Sequence, residues 1–179
     1  MGFFSRLFGS APHTQRKSAA EAGRGLRLTM LTTPPEKTGS KPTKDFPRVY
    51  GILMDWPIDE DTATVFATSA GTASLYTTST FGIIGGEAHE SVRIAAMRLV
   101  RAADRLFDAS TPTTTCEYPG RDRVKFYLLT FDGVRVVDTD LASLVNDTNQ
   151  YAEFFNLGQA VLTELRQVVE SRSHSEGAD

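Results

Sequence analysis

Three consecutive stretches of β-type sequence run from Val49 to Thr78, and only after Gly85-Gly86 does the apolar period change to that of a helix. The first, Val49–Trp56, is a run of apolar, branched and aromatic residues ended by Pro57 and the acidic turn Asp59-Glu60-Asp61. Thr64–Ser69 and Ala73–Thr78 flank Ala70-Gly71-Thr72, which predicts a hairpin and an antiparallel meander. Val92, Ala95, Ala96, Leu99, Ala103, Leu106 and Phe107 then recur at spacings of three and four, the signature of an amphipathic helix about five turns long. Val124–Phe131 and Val134–Val137, joined by Asp132-Gly133, predict a second hairpin, and Cys116-Glu117-Tyr118 a short extra strand. Tyr151, Phe154, Phe155, Leu162, Leu165, Val168 and Val169 line one side of a terminal helix, in which Gly158 is suited to close packing on the sheet. The order β-β-β-α-β-β-(β)-α predicts an α+β fold, a two-layer sandwich of helices on an antiparallel sheet.

Charge divides the chain unevenly. Residues 1–48 hold nine Lys/Arg against three Asp/Glu, whereas the remainder holds ten against nineteen. The basic part is rich in Ser, Thr, Pro and Gly, so residues 1–47 are expected to be a flexible leader, 48–171 the domain and 172–179 a disordered tail. Leu26, Leu28, Met30 and Leu31 partly alternate with polar residues, which suits an edge strand, an extended partner contact or a loosely packed leader. The tip places Phe3, Phe4, Leu7 and Phe8 around Arg6, the composition of a short membrane or partner anchor, or else of a frayed end or a helix packed on its own domain.

A net charge of −3 and the lack of a dominant basic field argue against nucleic-acid binding. One cysteine, Cys116, permits neither an internal disulfide nor a thiolate metal cluster, and no base stands beside it in sequence to activate it as a nucleophile. No cofactor or metal is expected. With no apolar run near the ~20 residues that span a bilayer, the chain is expected to be cytoplasmic, with a weak peripheral contact at the inner face of the membrane through residues 1–9.

The order of elements, the Asp132-Gly133 hairpin and the terminal helix with Asn156-Leu157-Gly158 resemble the profilin-like roadblock and longin domains over roughly residues 48–170. Ser74-Leu75-Tyr76, Gly82-Ile83-Ile84-Gly85-Gly86, His89 and Val92-Arg93 also resemble an uncharacterised family of small bacterial proteins. The roadblock resemblance implies a homodimeric scaffold that serves small GTPases, and it implies no catalytic residue. The pattern calls for a helix directly before the first strand, which only part of residues 14–23 is placed to supply.

Chemistry has few footholds. Gly82, Gly85 and Gly86 lie between a strand and a helix start, where backbone amides can hold a phosphate or carboxylate. Gly86 is followed by Glu87, so no P-loop is present, and the same glycines suit a tight turn or a close helix–sheet contact. His89 beside Glu87 and Glu90 is a candidate for that ligand site or for a capping role. Asp55, Asp59, Glu60 and Asp61 lack calcium-loop spacing and are expected to be a solvated turn, with Trp56 as a partner anchor. Arg98, Arg101 and Arg105, interleaved with Asp104 and Asp108, read either as a salt-bridged solvated face or as a groove for an acidic partner. The expected function is a non-enzymatic interaction or scaffold module with a protein partner; the alternative is a small-ligand or phosphate-binding sensory or enzymatic domain at Gly82–Gly86.

Overall fold

Strand β1 (Val49–Ile58) pairs on one side with β2 (Asp61–Thr68) and on the other with β6 (Arg123–Thr130), placing the longest apolar run at the centre of the sheet. A computed structural model describes residues 13–79, 82–84 and 88–176, with side chains over 20–79, 82–83 and 88–171. Around the central pair lie β3 (Ala73–Thr77), β4 (Ile83–Ile84), β5 (Thr111–Pro112) and β7 (Gly133–Asp140). The order across the sheet is β4-β3-β2-β1-β6-β7-β5, with every neighbouring pair antiparallel. The helices are α1 (His13–Thr32), α2 (Pro35–Thr38), α3 (Glu90–Ala103, continued by a 3-10 turn Asp104–Leu106), α4 (Leu141–Val145) and α5 (Ala152–Glu176). The α+β class, the meander and the hairpin follow the sequence pattern, with Thr130 paired to Gly133 at the turn.

Both faces of the sheet are buried. Ile52, Met54, Trp56, Val65, Leu75, Phe126 and Leu128 face α3 and α5, which contribute Val92, Leu99, Val161, Leu162 and Leu165. Leu53, Phe66, Tyr76, Tyr127 and Leu129 face the other way, beside Leu31, Leu26 and Met30 of α1. A register irregularity between Val49 and Gly51 reverses the alternation there, so Val49 joins the α3/α5 side and Tyr50 the α1 side.

Helix α1 therefore adds a third layer, which corrects the two-layer expectation. It also corrects two others. Much of the presumed leader, from His13 onward, is a folded part of the domain, and Leu26, Leu28, Met30 and Leu31 lie on a helix rather than an edge strand. Prolines 34 and 35 follow its end, and the backbone amide and hydroxyl of Thr33 both donate to the Thr29 carbonyl, closing the last turn.

Smaller differences have local causes. Strand β1 continues through Pro57, because β6 pairing ends at Asp55 and the proline's missing N–H costs no ladder bond on that side. The short strand between helix and hairpin is Thr111–Pro112, on the edge of β7, and Cys116–Tyr118 is loop. Helix α5 runs to Glu176, past the expected boundary at Ser171. Gly158 does permit close packing: a Cβ there would lie 2.5 Å from Cε of the fully buried Met54.

Candidate functional site

Of the glycine segment, Gly82–Ile84 lie among the described residues. Gly82 passes so close to β3 that a Cβ would fall 1.7 Å from the Leu75 carbonyl oxygen, which accounts for glycine by backbone packing alone. Ile83-Ile84 then pair with Leu75-Ser74, and Gly85 and Gly86 lie outside the described residues. His89 occupies the N-cap position of α3 in extended conformation with no side-chain capping bond, and its carbonyl accepts from the Arg93 amide at 3.0 Å. Phe3, Phe4, Arg6, Leu7 and Phe8, the expected anchor, also lie outside the described residues.

Trp56 is corrected from surface anchor to core residue. It is 5% exposed and meets Phe155 of α5 edge to face, with ring centres 6.5 Å apart, because its place in the strand directs it under α5. Its neighbour Asp55 points to the opposite face and is fully buried, so it does not belong to the solvated acidic turn.

Asp55 is the centre of a polar cluster that periodicity does not reveal. Arg27 of α1 donates to its Oδ2 through Nε at 3.0 Å and Nη2 at 2.5 Å, and the Thr64 hydroxyl donates to Oδ1 at 2.5 Å. The remaining guanidinium nitrogen, Nη1, donates to the Cys116 carbonyl at 2.7 Å. Arg27 also stacks on Tyr118 and Tyr127, 4.1 and 5.3 Å from the ring centres, and is only 3% exposed. Burial pushes the Asp55 carboxyl above its ordinary range, with Arg27 and Thr64 pulling the other way. Burial alone would lower the Arg27 pKa, but the hydrogen bond and charge of Asp55 more than reverse that. The Tyr127 hydroxyl donates to the Glu117 carbonyl at 2.5 Å, and burial raises its pKa to about 12. These groups satisfy one another in a closed site, which is the chemistry of a structural clasp joining α1, β1 and the loop at 116–118.

The open concavity lies on the other side, between α3 and α5. A hollow of about 270 Å³ is lined by Ile94, Ala95, Leu157 and Ala160 together with Ser91, Arg98 and Glu164, and Ile94 is 50% exposed. A shallower extension of about 450 Å³ shares Arg98 and Leu157 with it and runs along Arg101, Arg105 and Glu153. The arginines do not pair with Asp104 and Asp108 as a self-contained helix face. Arg48 takes both of those carboxylates, at 2.6 and 3.1 Å, and stacks on Phe107 together with Arg135. Arg101 reaches Asp45 at 3.3 Å and Arg105 reaches Glu153 at 2.7 Å. The Arg98 side chain makes no ion pair or hydrogen bond among the described residues.

Among the described residues, no group of three or more His, Cys, Asp or Glu is placed to hold a metal ion, and no helix is long and apolar enough to cross a membrane. Comparison with family models, curated proteins and solved structures finds no match.

Proposed function

We propose that this chain is a non-enzymatic interaction module whose working surface is the groove between α3 and α5, and that the groove receives a helix of a partner protein. The observation that carries this reading is the open, largely apolar concavity with the half-exposed Ile94 in its lining. An apolar slot between two helices suits the apolar stripe of a third helix, the packing by which amphipathic helices dock into grooves. The buried polar residues lend support, since Arg27, Asp55 and Thr64 are consumed by one another. The resemblance to profilin-like roadblock and longin domains points the same way, and implies a dimeric platform for a small GTPase.

Site-specific photo-crosslinking of the full chain in cells tests the reading. A benzophenone side chain at Ile94 should give an adduct with a second polypeptide whose crosslinked peptide is helical, and one at the exposed Val145 of α4 should not. Equal yields at the two positions, or no adduct at Ile94, would remove the groove as the working surface.

A further inference from the structure

The charges on the two walls of the groove differ in sign. On the α3 wall, Arg98, Arg101 and Arg105 follow at spacings of three and four, a stripe about 10 Å long along the helix. On the α5 wall stand Glu153 and Glu164. Arg98 and Glu164 line the same hollow without forming an ion pair with each other. Stacking, together with the ion pairs to Asp45 and Glu153, holds the other two arginines in place: Arg101 lies over Phe46 at 5.6 Å and Arg105 over Phe154 at 5.1 Å. Both rings are buried, at 7% and 5% exposure, so each guanidinium is presented at the rim from a fixed base.

Resting on the docking role proposed above, we propose that the partner helix carries a row of carboxylates along one flank of its apolar stripe, and that this flank lies against α3. Carboxylates at i, i+3 or i+4, and i+7 of a helix repeat with the spacing of the arginine stripe, and arginine accepts them in a bidentate geometry. Arg98 supplies a cation that is unpaired among the described residues beside the exposed Ile94, so the apolar anchor and the first charge contact fall in one hollow. Glu164 on the α5 wall repels the same flank, which fixes the rotation of the bound helix about its own axis.

The probes are two fluorescein-labelled 18-residue amphipathic helices that share one leucine stripe, with glutamates along one flank in the first and lysines in the second. Anisotropy with the full chain at low salt should show the glutamate peptide binding about tenfold more tightly than the lysine peptide, the sum of several exposed pairs. That gap should close as salt is raised. Arg98→Glu, which breaks no ion pair among the described residues, should narrow the gap, and Ile94→Asp should abolish binding of both peptides. Circular dichroism confirms that each variant is folded. Equal binding, a preference for lysine, insensitivity to Arg98→Glu or no binding by either peptide would overturn the assignment. Self-association in sedimentation that Ile94→Asp abolishes would give the groove to a second copy and overturn it as well. A helical adduct at Ile94 together with lysine preference would leave the docking role standing and remove only the acidic flank.

Discussion

On one face of the sheet, α3 and α5 bury Ile52, Met54, Val65 and Phe126 among leucines and valines, whereas on the other α1 meets the strands through Arg27, Asp55 and a group of tyrosines. Area alone holds the first contact, and area is tolerant of exact placement. The second draws less apolar area from its helix: among the described side chains of α1, Ala20 and Leu31 are buried and Leu26 and Met30 half-buried. A buried ion pair adds little net stability over apolar residues of the same volume, but it is severe on any arrangement that separates its members. Arg27 thus sets where α1 lies: it reaches β1 through Asp55, the loop through the Cys116 carbonyl, and both Tyr118 and Tyr127 by stacking. The apolar face stabilises the fold, and the polar face specifies one register of a helix that apolar contacts alone hold weakly.

The largest effect that would break this comparison comes from the clasp. Arg27→Ala leaves the Asp55 carboxylate buried with Thr64 as its remaining close donor, and should cost about 3–5 kcal/mol in urea unfolding. Replacing both partners, Arg27→Met with Asp55→Leu, should recover most of that loss. If the double variant is as unstable as the sum of the two single ones, the pair is not coupled and the contrast between the faces fails.

That clasp also marks where the sequence stops being readable. The strands and α3 show themselves because their buried residues are the apolar ones. Helix α1 buries Ala20, Gly23, Arg27 and Leu31, a stripe at helical spacing, but with a glycine and an arginine in it the apolar pattern is erased. What remains visible, Leu26, Leu28, Met30 and Leu31, alternates like a strand, although Leu28 is 51% exposed. The signal that does exist lies in β1. An unbroken run from Val49 to Trp56 suits a strand buried on both faces, so it calls for a layer on each. The α3 arginine stripe was legible as a candidate groove, but its other wall was not, because only folding brings Leu157, Ala160 and Glu164 of α5 beside Ile94 and Arg98.

On the apolar face, Leu99→Ala should cost about 2–5 kcal/mol, from the lost transfer energy and the cavity left in a fully buried site. Its loss should add to that of Arg27→Ala within about 0.5 kcal/mol, since the two residues lie on opposite faces of the sheet and share no partner. A larger coupling would show that the faces do not act independently.

Packing on that face is tight at one point. Gly158→Leu places new atoms where the Met54 side chain already lies, and should destabilise by about 1–3 kcal/mol despite the better helix propensity. Adding Met54→Ala gives the leucine the vacated volume and should restore part of the loss. No recovery would mean that the α5 backbone, rather than the methionine, yields to the new side chain.

The smallest expected effect is a dependence on alkaline pH confined to the α1 face. Tyr50, Tyr76, Tyr118 and Tyr127 all have pKa values raised above 10.0 with burial as the largest cause, and Tyr127 is pushed to about 12. A raised phenol pKa means that the native state keeps its proton after the unfolded chain has lost it. The stabilising contribution is then complete below pH 10 and declines as pH rises through 12. Unfolding free energy should fall across that window, while tyrosinate absorbance of the folded protein lags behind that of the denatured chain. Tyr127→Phe gives up the hydrogen bond to the Glu117 carbonyl, at a cost of about 1 kcal/mol near neutrality, but should flatten the alkaline decline. An unchanged slope in Tyr127→Phe would assign the alkaline sensitivity to Tyr50, Tyr76 and Tyr118 of the same face.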